Sequence, residues 1–105
     1  MVLITGGIAT GKRSYAHSLG FTEDDIAFIP ERGLPEELPS IDDLAERPVV
    51  ICTDIGAGIV PLDRTERAWR EEVGRLTCAL AERADAVVHM VCGIPSVLKG
   101  VPHEG

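Results

Sequence analysis

The chain is poor in basic residues, in cysteine and in long apolar runs. Ten Lys and Arg face 17 Asp and Glu over 105 residues, a formal net charge of −7. A sequence-independent nucleic-acid binder neutralises phosphates with a basic surface, so this balance argues against that class. It leaves room for a nucleotide, because a single loop can bind phosphate locally. Three scattered cysteines, Cys52, Cys78 and Cys92, cannot all pair and show no metal-ligand spacing. They read as small buried thiols in a reducing cytoplasm. No apolar run approaches the roughly 20 residues of a membrane span. Met1 to Thr5 leads straight into glycines without a basic leader, so a signal peptide is not expected.

What is present suits one globular domain over residues 1–105: hydrophobic residues make up 45% and charged residues 26%. Four short apolar runs, Val2–Thr5, Ile26–Ile29, Val49–Thr53 and Val87–Val91, are rich in Val and Ile and nearly continuous. Strands covered on both faces have this character. Helical patterns lie between them. The first follows Gly11 through Tyr15, Ala16 and Leu19 to a stop at Gly20. The second begins after Ser40, which with Asp43 resembles a cap and its reciprocal partner. The third is preceded by Pro61 and can be capped by Asp63, with Glu66 three residues on. Its apolar positions Trp69, Val73, Leu76 and Leu80 step by four, three and four and form one stripe. Arg67, Arg70, Glu71, Arg75 and Glu82 fall mostly off it and read as a solvated face with intrahelical pairs. The acidic segment between Pro30 and Pro39 reads as an exposed loop, and the end from Gly100 to Gly105 as frayed. Alternating strands and helices predict an α/β fold: a three-layer sandwich around a small, mostly parallel sheet of about four strands, with right-handed crossovers.

Gly6-Gly7-Ile8-Ala9-Thr10-Gly11-Lys12 follows the first strand and opens the first helix, the context in which G-x-x-x-x-G-K signals a phosphate-binding loop. Glycines let successive N–H groups turn inward. The helix N-terminus adds positive potential, and Lys12 reaches the β- and γ-phosphates. The nucleotide-binding set is therefore Gly6, Gly7, Ile8, Ala9, Thr10, Gly11, Lys12, Arg13 and Ser14. One position departs from the pattern. Arg13 occupies the place of the Ser or Thr whose hydroxyl ligates Mg²⁺. Ser14 is one residue on, about 100° around a helix of 3.6 residues per turn, and is not expected to meet the metal in the usual way. Arg13 can itself contact phosphate. Val49 to Asp54 is an apolar strand ending in a carboxylate, the arrangement of a Walker B strand, so Asp54 is the candidate metal and catalytic residue beside Lys12. A glycine loop, Ile55 to Pro61, follows near the same edge.

These residues resemble the bifunctional adenosylcobinamide kinase/adenosylcobinamide-phosphate guanylyltransferase family of cobalamin biosynthesis. Ile4-Thr5-Gly6-Gly7 through Gly11-Lys12 is similar to its opening loop, and Tyr15-Ala16 fits the pattern beyond the lysine. Val49 to Pro61 resembles the family's strand ending Asn-Glu-Val-Gly and then Gly-Ile-Val-Pro, with Thr53-Asp54-Ile55-Gly56 in the first four places. Arg64, Arg67, Arg70, Gly74-Arg75-Leu76, Leu80-Ala81 and Ala84-Asp85 follow its long helix, and Gly93-Ile94-Pro95 through Leu98-Lys99 its C-terminal signature. The resemblance implies a P-loop NTPase-like fold, ATP or GTP with Mg²⁺, a corrinoid small molecule as partner, and a trimer. Family members are longer between the first helix and Val49, where they carry the histidine that is guanylylated. Here that stretch is short, acidic and free of histidine; His17, His89 and His103 lie elsewhere. Guanylyltransferase activity is therefore expected to be lost. A strand histidine such as His89 reads as a satisfied core residue.

The leading expectation is a nucleotide-binding, kinase-like member that transfers a phosphoryl group to an alcohol if active. The alternatives are a degenerate, non-catalytic nucleotide-binding or assembly protein, and a different small P-loop kinase.

Overall fold

The structure, a computed structural model, describes residues 1–7, 11–30, 36, 38–53 and 64–101. The cap at Asp63, most of the loop between Pro30 and Pro39, the glycine loop 55–61 and residues 102–105 lie outside the described residues.

The four apolar runs are strands: β1 (Val2–Gly6), β2 (Ile26–Ile29), β3 (Val49–Thr53) and β4 (Ala86–Val91). Helix α1 (Lys12–Ser18) follows β1, α2 (Ile41–Ala45) precedes β3, and α3 (Arg64–Arg83) precedes β4. A fifth strand, β5 (Ile94–Lys99), completes a sheet of order β2-β3-β1-β4-β5. The first three pairings are parallel and β4–β5 is antiparallel.

Side chains of a strand alternate between faces, and here the alternation sorts the core into two layers. Val2 and Ile4 of β1, Val49 and Ile51 of β3, and Ala86, Val88 and Met90 of β4 pack with Ala16 of α1 and Phe21. Leu3, Val50, Cys52 and Val87 face the other way, against Leu44 of α2 and Trp69, Val73 and Leu80 of α3. The expected stripe on the long helix therefore packs as read, with Leu76 at its partly buried margin. Because α1 covers one face and α2 and α3 the other, the chain crosses toward β2 on one side and toward β4 on the opposite side. Crossovers that reverse both direction and face keep a single hand, as parallel sheets require.

Local signals act where expected. Ser40 Oγ accepts from the Asp43 N–H at 3.2 Å, and Gly20, at φ 97°, follows Leu19, the C-cap of α1. Thr22 and Asp25 form a capping box on a short 3₁₀ turn, Glu23–Asp25, that had no separate periodic signal.

One expectation is corrected: of the three cysteines only Cys52, on β3, is buried, whereas Cys78 on α3 and Cys92 in the turn after β4 are exposed. The mostly parallel α/β sheet is as expected, with one strand added to the four read from the apolar runs. Cys92 and Gly93, both at positive φ (50° and 77°), make a two-residue turn between Val91 and Ile94. A primed hairpin turn needs this conformation at both positions. β5 was not legible because all six of its residues are exposed and Pro95 interrupts it. A strand that buries neither face writes no pattern into the sequence, and proline is tolerated only at such edges. The fraying expected from Gly100 to Gly105 falls mostly outside the described residues, which reach Val101. Gly100 has φ 63°, and a Cβ there would collide with the carbonyl oxygen of Asp85, the residue before β4.

Gly100→Ala should therefore cost at least about 1–2 kcal/mol from left-handed strain alone, read as a lower urea midpoint. Trp69 yields a second expectation, because no acceptor meets its buried Nε1 among the described residues. Trp69→Phe should cost less than Trp69→Ala, because it leaves a smaller cavity and removes a buried unpaired donor. Trp69→Ala should cost about 3–5 kcal/mol; chemical denaturation of the two variants separates packing from polarity.

Candidate phosphate-binding site

Connections leaving the C-terminal ends of adjacent β1 and β3 go to opposite faces of the sheet, and open α/β sheets bind ligands at such a switch point. The register pairs Gly6 with Thr53, so the two strand ends arrive level at this edge.

The chain leaves β1 at Gly6 and Gly7, and Gly11 caps α1 in the left-handed conformation (φ 83°, ψ 21°). Lys12 opens the helix. Its side chain is only 7% exposed, and its Nζ donates to the Gly7 carbonyl oxygen. An ammonium group loses much hydration on burial and needs polar partners; the carbonyl supplies one across the turn. The cation is thus held at the mouth of the loop.

A cleft of about 230 Å³ opens beside it, lined by Gly11, Lys12, Arg13, Ser14, Phe28, Ile51 and Thr53. That is below the range of about 300–1,000 Å³ usual for whole organic ligands, and suits a phosphate chain with the rest of the ligand outside. The structure brings Gly11, Lys12, Arg13 and Ser14 together on this cleft. Ile8, Ala9, Thr10 and Asp54 lie outside the described residues, so the loop's middle and the candidate metal carboxylate are not part of this geometry. Among the described residues no group of three His, Cys, Asp or Glu side chains could hold a metal ion.

Arg13 has partners that its position in the motif did not reveal. Its guanidinium carbon lies 4.9 Å from the Phe28 ring centroid, within cation–π range. Its Nε is 3.3 Å from Glu23 Oε1. Phe28, 42% exposed on β2, and Glu23, on the 3₁₀ turn, were not read as site residues. A lone Phe and Glu from another crossover carry no local signal; only the sheet order brings them beside α1.

The same Glu23 oxygen accepts from His17 Nε2 at 2.8 Å, while His17 Nδ1 donates to the Phe21 carbonyl at 2.9 Å. Both ring nitrogens face acceptors, an arrangement only imidazolium satisfies fully. The Glu23 hydrogen bond, then the Phe21 carbonyl, raise the His17 pKa above its ordinary 6.5. His89, by contrast, shares a 2.9 Å hydrogen bond through Nδ1 with Thr5 Oγ1 on the neighbouring strand. It is a tied sheet residue, as expected.

Residues 31–98 match the profile of the cobinamide kinase / cobinamide phosphate guanyltransferase family. The chain belongs to that family. Over 65 residues it is 37% identical to the bifunctional adenosylcobalamin biosynthesis protein CobP of Pseudomonas aeruginosa, a match covering 62% of this chain and 38% of that protein. The match thus spans well under half the length of this relative. The family is P-loop NTPase-like, in agreement with the mostly parallel α/β sheet and the loop at its β1 edge. No helix among the described residues is long and apolar enough to cross a membrane.

The His17 arrangement has a measurable pH consequence. A raised folded-state pKa stabilises the fold fully below the unfolded value of about 6.5, and this contribution is lost as pH rises through the folded value. NMR titration should place the His17 midpoint above 6.5. Denaturation should show stability falling across that interval in the wild type and a weaker pH dependence in His17→Asn.

Proposed function

We propose that the chain is a nucleotide-binding, kinase-like member of its family, using the loop from Gly6 to Ser14 for the phosphates of ATP or GTP. The observation that carries this reading is the buried Lys12 ammonium, held at the end of β1 beside a phosphate-sized cleft. Phosphoryl transfer relies on positioning and electrostatic stabilisation. Lys12 and the loop amides supply positive charge around the transferred group, and an acceptor alcohol attacks from the cleft side. Asp54, at the end of the β3 segment, is the residue to hold Mg²⁺ or orient the hydroxyl. The acceptor expected from the family is adenosylcobinamide, a corrinoid. The guanylyl-transfer half is proposed to be lost, because the stretch between α1 and β3 contains no histidine.

A second reading, a non-catalytic nucleotide-binding protein, is favoured by Arg13. The Mg²⁺-ligating hydroxyl is replaced by a guanidinium held over Phe28 and near Glu23. This reading predicts phosphate affinity with little dependence on Mg²⁺ and no turnover. In either case we place the protein in the cytoplasm and, from its family, in a homotrimer. Exposed Val91, Ile94, Val97, Leu98 and Val101 around the β4–β5 hairpin supply apolar surface compatible with self-association.

Calorimetric titration of ATP and GTP with and without Mg²⁺, followed by phosphorylation of adenosylcobinamide, separates the readings. Mg²⁺-dependent binding with turnover that disappears in Lys12→Ala supports the kinase; equal affinity in Lys12→Ala excludes both readings. Arg13→Ser should raise Mg²⁺-dependent activity at least tenfold if the arginine is the lesion, and should leave a non-catalytic protein without turnover.

A further inference from the structure

Two basic side chains converge on one carboxylate oxygen at the rim of the phosphate cleft. Glu23 Oε1 accepts from His17 Nε2 at 2.8 Å and lies 3.3 Å from Arg13 Nε. Arg13 and His17 are four residues apart on α1 and so share a face, which the 3₁₀ turn carrying Glu23 approaches. Of these three residues only Arg13 lines the cleft, with its guanidinium seated on the Phe28 ring that lines it too.

The shared oxygen makes the two bases competitors. Protonated His17 gives Glu23 a charge-assisted hydrogen bond and neutralises it. The Arg13 charge is then available to an anion in the cleft. Neutral His17 keeps one N–H for two acceptors, the Glu23 carboxylate and the Phe21 carbonyl. Glu23 then turns to Arg13 and cancels its charge. All three side chains are exposed, and exposed pairs are individually weak, so the exchange takes little free energy. Among the described residues the charged groups acting on His17 are Glu23 and, on its own helix, Arg13. Asp24 and Asp25 share the turn, with Asp25 engaged by Thr22. The strands beneath α1, β1 and β3, carry no charged side chain, and Cys52 of β3 faces the other layer.

We infer that Glu23 is a positioning residue for Arg13 and that His17 sets which base it pairs with. The cleft therefore binds phosphate anions more tightly when His17 is protonated than when it is neutral. By linkage, a bound anion strengthens proton binding at His17 by the same factor. This rests on the reading of the cleft as a phosphate site, and holds whether or not phosphoryl transfer follows.

The test is calorimetric titration of ATP and of inorganic pyrophosphate, both without Mg²⁺, at low ionic strength from about pH 5.5 to about pH 8.5. Both ligands titrate in that interval, so wild type is compared with His17→Asn at each pH, where the ligand contribution cancels. Across the interval the wild type should lose at least about fivefold more affinity than His17→Asn. Added salt should shrink the difference, and Arg13→Gln should erase it. Glu23→Gln should bind more tightly than wild type at the alkaline end. In the wild type, saturating pyrophosphate should raise the His17 NMR midpoint. An equal loss in wild type and His17→Asn overturns the inference, as does a difference that survives Arg13→Gln or a midpoint that pyrophosphate leaves unmoved. ATP bound with an equal loss keeps the nucleotide reading and removes the switch. Pyrophosphate bound with the His17-dependent loss, and ATP not bound, does the reverse. Binding of neither refutes both.

Discussion

The parallel pairing of β1 between β3 and β4 is the constraint on which the other features depend. Every residue of β1 is buried, and its neighbours hold it in register from Val2 to Gly6. That register brings Gly6 and Thr53 level at one edge, so the loop before α1 starts beside the end of β3. It also separates the two cores, because consecutive strand residues must face opposite layers. Once α1 lies on one face and α3 on the other, a crevice at the β1–β3 edge follows from connectivity.

At that edge a buried cation is handled by backbone. The Lys12 ammonium is seated in the turn with the Gly7 carbonyl as a partner, in a chain whose overall charge is negative. Arg13 adds a second positive group on the rim and is held by Phe28 and Glu23. The exposed pairing with Glu23 is worth little by itself. Its importance is positional, since Glu23 also binds His17 and so joins the rim of the cleft to a titrating group.

Much of this was legible because it is local or periodic. Val- and Ile-rich runs marked four strands, since strands covered on both faces must be apolar throughout. Trp69, Val73 and Leu80 marked the buried face of α3, since a helix returns to the same face every three or four residues. Gly11-Lys12 after a strand marked the loop. Phe28 and Glu23 were invisible as site residues because their relevance depends on β2 and the 3₁₀ turn passing α1. β5 was invisible because an exposed edge strand buries nothing.

The sequence by itself determined the α/β class, the place of the glycine loop before α1, the apolar face of the long helix and the family to which the chain belongs. Each is encoded in neighbouring residues or in a short period. Tertiary structure alone decided that Phe28 and Thr53 border the cleft beside Lys12, that Arg13 rests on Phe28 near Glu23, and that β5 closes the sheet antiparallel to β4. These relations join residues whose separation along the chain has no fixed bearing on their separation in space. They follow from strand order and the faces on which the crossovers pack.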